Sequence, residues 1–466
     1  MNSELRHEPR ITKHETQVML KIFLWLRYLR KKRIVFLSIA AVALSAALLI
    51  VVSSLFIGFI NAFERGAVDT LGDVVIEPPM KITNYPLFIE QLERASVVEA
   101  ASATLWGQGL LYLGKGSVRA VSVLGIEPGR QAKVTGFKQF LHKQKSAAKE
   151  VTFEVPGFAE KVGGFVGIGV AAEPDEKTDE YDYQAVEQMI GREVILTTGA
   201  VSEGRQNDDT GAQVKRKLIK FTITDIVFTG VYELDKSFVY LPIEELQKTL
   251  YPDESSPIAG RVQIRLASGA QIDAALAQIC GLWQGFAEEH LGWEPYLIRE
   301  TEIKTAIQMQ SRYIAEIRKQ MGVLLLIFGV VSASVVVLVF CIFYMIVETC
   351  RRDVAIIKSC GATSGSVTSI FVGFGGCVGI VGAGVGMILG IIVTKNINTI
   401  EEWIRIIFGL KLWKSSVYIF SRIPSEVDWN SALPIALSAV LAAALGALIP
   451  AIVAAKTKPV EILRYE

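Results

Sequence analysis

Residue types that commonly carry catalysis or bind metals are scarce in this chain. It has four histidines and five cysteines in 466 residues, and Cys280, Cys341, Cys350, Cys360 and Cys377 form no C-x-x-C pair. That excludes a zinc knuckle and a disulfide framework, which need such ligands at close, fixed spacings. Cys350 and Cys360 share one short loop without a histidine beside them, so two reduced thiols are expected there. His142 and His290, the histidines of the central region, stand in no metal-site or serine-triad spacing. The net charge is only +1, whereas a nucleic-acid binder normally carries a basic excess that neutralises phosphates, so nucleic acid is excluded as a partner. A partial phosphate-loop pattern, Gly109 with Gly114-Lys115, fails at Gly116, where Ser or Thr would bind magnesium, and its context is strand–turn–strand. No catalytic, cofactor-binding or metal residue is therefore assigned in this chain.

Apolar residues are abundant instead. They make up 51% of the chain against 20% charged, with a mean hydropathy of +0.38, more than a soluble protein of this size can bury. Four runs without Asp, Glu, Lys, Arg or His, at 34–60, 321–347, 369–393 and 432–455, each exceed the roughly 20 helical residues that cross a membrane. Ion-coupled carriers generally need ionisable groups inside the membrane, so any transport must draw its energy from elsewhere. The first run is too long for a signal peptide and reads as a retained anchor. Arg27, Arg30, Lys31, Lys32 and Arg33 precede it, which places the N-terminus in the cytoplasm. An even number of crossings returns Lys456, Lys458 and Arg464 to the same side.

The spacing of the runs divides the chain into a cytoplasmic tail with an interfacial helix (1–33), the first span, an extracytoplasmic domain with a stalk (63–320), the second span, a cytoplasmic loop (348–368), the third span, an outer loop (394–431), the fourth span and a C-terminal tail (456–466). The fold class expected is an α-helical membrane protein with four transmembrane helices plus a large mixed α/β extracytoplasmic domain. Within that domain, 110–112 and 118–124 flank Gly114-Lys115-Gly116 as a hairpin, and strands are expected at 193–197, 221–227, 238–241 and 262–266. Helices are expected at 86–94, 244–250 and 272–286. The Gly-rich, acidic stretch 148–183 reads as an irregular insertion. Ile303, Ile307, Ile314 and Ile317 recur at helical spacing, which predicts that the second span extends outward as a stalk.

Two further patterns bear on function. The third run carries a ladder of small residues, Gly375, Gly379, Gly382, Gly386 and Gly390, suited to close helix packing against the same chain or a second subunit. The loop after the second run predicts a short amphipathic helix at 352–359, stopped by Gly361. Such a helix suits docking into a partner, or serves as a plain connector.

That loop, Arg352-Asp-Val-Ala-Ile-Ile-Lys-Ser-Cys-Gly-Ala-Thr, resembles the coupling-helix motif of ABC-transporter permeases of the FtsX and MacB type, usually written near R-E-I-A-I-L-R-A-L-G-A. The order of elements is similar too, as are Leu26-Arg-Tyr-Leu-Arg, Phe228-Thr-Gly-Val-Tyr-Glu-Leu-Asp-Lys, Val239-Tyr-Leu-Pro, the run from Val417-Tyr to Ile423-Pro, and the ending Lys458-Pro-Val-Glu-Ile-Leu-Arg-Tyr-Glu. Within that superfamily the sequence looks most like the lipoprotein-releasing, Lol-type permease subunits. The resemblance implies a MacB-like periplasmic core, a bacterial inner-membrane location and no catalysis by this chain. ATP and Mg would be held by a separate cytoplasmic ABC ATPase dimer, which would press on a coupling helix formed by Arg351, Arg352, Asp353, Ile356, Lys358 and Gly361. Further implied partners are a second permease, identical or different, membrane lipids, a periplasmic carrier and a lipoprotein substrate. A sensing or efflux subunit for peptides or antibiotics in the same superfamily is the alternative.

Overall fold

The computed structural model describes residues 25, 33–114, 116–158, 160–175, 178–202, 213–409, 411–414 and 420–456. The expected interfacial helix, apart from Trp25, and the tail beyond 456 lie outside them. Along the chain, α1 (Arg33–Leu71) leads to β1 (Val74–Glu77), β2 (Ile82–Thr83), α2 (Tyr85–Glu93), β3 (Val98–Gly114), β4 (Ser117–Ile126) and α3 (Pro128–Val134). Next come β5 (Gly163–Gly167), α4 (Tyr183–Met189), β6 (Glu193–Ser202), β7 (Gln213–Val227), α5 (Tyr232–Ser237), β8 (Phe238–Pro242) and α6 (Ile243–Leu250). Then follow β9 (Ile258–Ala259), β10 (Arg261–Leu266), α7 (Ile272–Phe286) and β11 (Glu302–Thr305), and finally α8 (Ser311–Thr349), α9 (Arg351–Ser359), α10 (Ser364–Lys395), α11 (Ile397–Phe408) and α12 (Trp429–Lys456).

The chain divides into two compact units. One holds the described residues up to Phe59, Glu316–Ile400 and those from Pro424 onward; the other holds Ile60–Ala315 and Glu401–Ile423. In the first, α1, α8, α10 and α12 are, among the described residues, the four helices long and apolar enough to cross a membrane. Their shared core centres on Phe343, Phe371, Phe374, Val378 and Ala447, all buried. Only 6% of the most apolar window of α8 is buried, against 33% in each of the other three, so α8 presents most of its surface outward.

The second unit is built on a nine-stranded sheet of order β11-β1-β10-β3-β4-β8-β5-β7-β6. Its 17-residue strand β3 has two jobs. Residues Val98 to Thr104 pair with β10, while Gly109 to Tyr112 pair with β6 at the far end of the order. That second pairing closes β3, β4, β8, β5, β7 and β6 into a ring, which covers edges that would otherwise expose unpaired backbone groups. The core inside includes Leu111, Val123, Leu196, Phe221 and Leu241. The expected hairpin is β3–β4, closing at Gly114 paired with Ser117, and the helices expected at 86–94, 244–250 and 272–286 are α2, α6 and α7.

Two expectations need correction. The stretch 148–183 is not simply an irregular insertion, because it contains β5, a fully buried central strand parallel to β7 and antiparallel to β8. A strand buried on both faces shows no alternation. Its glycines are steric requirements: a Cβ on Gly163 would lie 1.8 Å from the Phe153 carbonyl oxygen, and one on Gly167 would lie 2.3 Å from that of Asp235. The stalk is also shorter than its isoleucine spacing suggests. Ile303 lies in β11, which pairs with β1, and Thr305 and Gln308 form a reciprocal capping box over a separate single turn. Only Ile314 and Ile317 belong to α8, and both are buried.

Gly163→Ala is expected to cost about 2 kcal/mol or more, since overpacking meets a backbone oxygen that cannot rotate away. Gly281→Ala, in α7 with nothing within 4 Å of the added methyl, should instead be neutral or gain up to about 1 kcal/mol. Chemical denaturation of the two purified variants would separate them.

Candidate functional site

The loop between α8 and α10 forms α9, a nine-residue helix whose two sides differ. Val354 and Ala355 are buried in the core of the helical unit. Arg351, Arg352, Asp353 and Ile356 are exposed, Ile356 by 49%. Arg351 pairs with Glu348 at 2.7 Å. The helix ends in a paired cap: the Gly361 N–H donates to the Lys358 carbonyl at 3.0 Å and the Ala362 N–H to that of Ile357 at 3.3 Å. Gly361, at φ +92°, takes the left-handed conformation that this ending requires.

Lys358, named with the coupling-helix residues by resemblance, has a different position from Arg351, Arg352, Asp353 and Ile356. Its Nζ donates to the Ala455 carbonyl at 2.8 Å, and the Ser364 hydroxyl donates to the same oxygen at 3.1 Å. Ala455 lies in the last turn of α12, where carbonyls lack helical partners and a cation is favoured by the helix dipole. Lys358 therefore fastens α9 to α12. Four of the six sequence-selected residues share an exposed surface, and Lys358 and Gly361 hold that surface in place.

The glycine ladder is one stripe with two partners. Added methyls on Gly375 and Gly379 would come within 2.5 Å of Ala447 and 2.9 Å of Val440 on α12. Those on Gly382, Gly386 and Gly390 would meet Val42 at 2.9 Å, the Ala43 carbonyl at 2.5 Å and Ile50 at 3.1 Å on α1. The small residues α10 needs for such approach come from both sides of the contact, with Ala43, Ala46, Ala443 and Ala447 opposite.

Sequence reasoning gave no role to Asp235, which lies within the Phe228–Lys236 motif. Its carboxylate is 2% exposed and accepts from the Thr229 N–H at 2.7 Å, the Thr229 hydroxyl at 2.8 Å and the Gly230 N–H at 3.0 Å. Burial pushes its pKa up to about 7, although those bonds favour the charged form. The loop it shapes, with Gly230 at φ +77°, forms a bridge from Val231 to Phe420, and the Ser421 N–H donates to the Gly230 carbonyl at 3.3 Å. The segment between α10 and α12 is held at other points as well. Lys411 donates to the Thr178 carbonyl at 2.6 Å, Arg405 lies 3.8 Å from Glu180, and Phe63 stacks on Tyr313 at 4.6 Å with Phe420 edge-on at 6.3 Å. A chain signal for Asp235 existed in the Thr-Gly turn followed by an acid five residues on, but nothing in the sequence identified the segment it grips.

Comparison with known proteins bears on both regions. The model of the MacB-like periplasmic core domain matches residues 35–281, and that of the FtsX-like permease C-terminal region matches 325–459. The lipoprotein-releasing system transmembrane protein LolC of Neisseria meningitidis is 26% identical over 461 residues, covering 96% of this chain and 99% of its own. LolE of Haemophilus influenzae is 26% identical over 352 residues, covering 74% and 73%, and LolC of Xylella fastidiosa is 24% identical over 467, covering 96% and 99%. The crystal structure of the periplasmic region of MacB from Actinobacillus actinomycetemcomitans aligns at 12% identity with a TM-score of 0.32, covering 53% of this chain and 95% of that one.

The raised Asp235 pKa sets a pH dependence. The folded protein holds this proton up to about pH 7, whereas the unfolded chain releases it near the usual carboxylate value of about 4. The stabilisation is thus complete below about pH 4 and is lost as pH rises through about 7, with a slope of at most ~1.4 kcal/mol per pH unit. Asp235→Asn is expected to flatten the pH profile of stability over that window, measured by denaturation of the purified protein in detergent.

Proposed function

Because the chain belongs to the family of FtsX-like permeases with a MacB-like periplasmic core domain, we propose that it is the permease subunit of an ABC-type complex that releases lipoproteins from the bacterial inner membrane. The lipoprotein-releasing names of relatives that match nearly end to end support this reading. The single observation that carries the mechanism is α9, with Val354 and Ala355 packed into the helical core and Arg351, Arg352, Asp353 and Ile356 exposed. Fixed on one side and open on the other, such a helix can receive a push and pass it on.

In this reading α9 and both termini are cytoplasmic. A separate ATPase dimer binds and hydrolyses ATP with Mg, and its movement loads α9. Lys358 hands the load to α12 through the Ala455 carbonyl. Cys350 and Val347, buried beside Val354, hand it to α8, which runs without a break from Thr349 back to Ser311. The chain itself contributes no catalytic group. A second permease, identical or different, covers surface left open on α8 and completes the path by which an acylated protein leaves toward a periplasmic carrier.

Arg352→Glu combined with Ile356→Asp is expected to reduce co-purification of the ATPase at least tenfold, a loss of about 1.4 kcal/mol, with membrane insertion unchanged. Undiminished co-purification would count against α9 as the docking element. Lys358→Met should act differently, lowering the stability of the helical unit by about 1–3 kcal/mol through the lost charged hydrogen bond, measured by thermal denaturation in detergent.

A further inference from the structure

Helix α11 carries an apolar side that the described residues leave open. It begins at Ile397, with Asn396 alone between it and the end of α10 at Lys395. The Ile400 N–H donates to the Asn396 carbonyl at 2.9 Å, so the new helix starts directly from the old one. Its 12 residues span about 18 Å, and Gly409, at φ +65°, ends it. At about 100° per residue, Ile400, Trp403, Ile406 and Ile407 fall on one side with Phe408 flanking them, and Glu401, Glu402 and Arg405 fall opposite. No residue of α11 is buried. Trp403, Ile406, Ile407 and Phe408 are 66% to 70% exposed, as open as Leu433 and Leu445 on the outward side of α12. Large apolar side chains gathered on one exposed side mark a surface made to be covered.

The charged side is already engaged. Arg405 Nε donates to Glu402 Oε2 at 2.9 Å, and its Nη2 lies 3.8 Å from Glu180. Just past the helix, Lys411 donates to the Thr178 carbonyl at 2.6 Å. A protein partner is usually recognised through an apolar centre ringed by polar groups, and here those groups bond to one another and to the domain. A bilayer boundary asks only for apolar area on one side of a helix, and it favours tryptophan at headgroup level. Chain position makes the same choice. α10 is long and apolar enough to cross a membrane, and the first residue of α11 lies within about 7 Å of its last. We propose that α11 is an interfacial helix lying in the membrane surface at which α10 ends, with Trp403, Ile406, Ile407 and Phe408 among the lipid chains just below the headgroups. The partner is the bilayer itself, recognised by apolar burial and not by headgroup charge, because Arg405 is already paired. The inference goes beyond the permease reading: it requires α10 to cross the membrane but involves neither α9 nor an ATPase.

The test uses the full-length protein in phosphatidylcholine nanodiscs that contain a trace of the same lipid with a diazirine near the ester end of one acyl chain. Adducts are mapped by mass spectrometry after tryptic digestion, with α12 as the internal standard. The expected result is labelling of the peptides 396–405 and 406–411, comparable to that of α12 and unchanged when phosphatidylglycerol is mixed in. Trp403→Gln, Ile406→Gln and Ile407→Gln combined should lower that labelling at least tenfold relative to α12. Melting in detergent should not change, because all three side chains are exposed. ATPase co-purification should also be unchanged, so failure of this surface and failure of α9 as a docking element are told apart. Labelling of α12 without labelling of α11 would overturn the proposal, as would labelling that appears only with phosphatidylglycerol or that the combined variant leaves intact. Protection of Trp403 from hydroxyl radicals in nanodiscs without a lipid adduct would overturn it in favour of a second copy of the chain as the cover.

Discussion

The inserted domain depends on the buried carboxylate of Asp235. Burying a carboxyl group is costly unless donors converge on it, and three do, all from Thr229 and Gly230. This fixes the turn whose backbone meets Phe420 and Ser421. The main chain of the same residue presses on Gly167 and Gly169, leaving no space for a side chain at either position. One residue thereby sets the seat of β5, the start of α5 and the attachment of a segment nearly two hundred positions away in sequence.

That attachment gives the middle of the domain a purpose. Thr178, Asp179 and Glu180, in the stretch that had looked like an insertion, face Lys411 and Arg405. The segment joining α10 to α12 therefore belongs to the domain's own fold rather than hanging free as a loop. The same segment supplies Phe420 to the aromatic contact with Phe63. Helix entry, domain and connecting segment share one set of contacts.

What could be read from the chain followed the strength of local signals. Long charge-free runs marked the four helices, and alternating residues around Gly114-Lys115-Gly116 marked the β3–β4 hairpin. Gly361 marked the end of α9 because a left-handed cap demands glycine. β5 escaped because a strand buried on both faces loses its alternation, and its glycines imitate a loop. Lys358 was named with the coupling-helix residues by resemblance, which does not reveal that a helix end approaches it. The glycine stripe was legible as a packing surface, but its division between α1 and α12 was not, since both halves project from one side of α10. Asp235 was not picked out as a controlling residue because its Thr-Gly turn signal does not reveal the segment that the turn grips.

The glycine stripe has a consequence for how a four-helix body of this kind can move. Backbone-close contact along both halves of α10 leaves no slack for sliding or rotation against α1 or α12, because packed interiors resist gradual deformation. Those three helices pack as one body. α8, mostly uncovered, meets α12 at a close glycine approach, where a methyl on Gly446 would lie 3.1 Å from the Val336 carbonyl oxygen, and α1 through the Ser45–Ser332 hydrogen bond, so its seat in the bundle rests on fewer backbone-close approaches than that of α10.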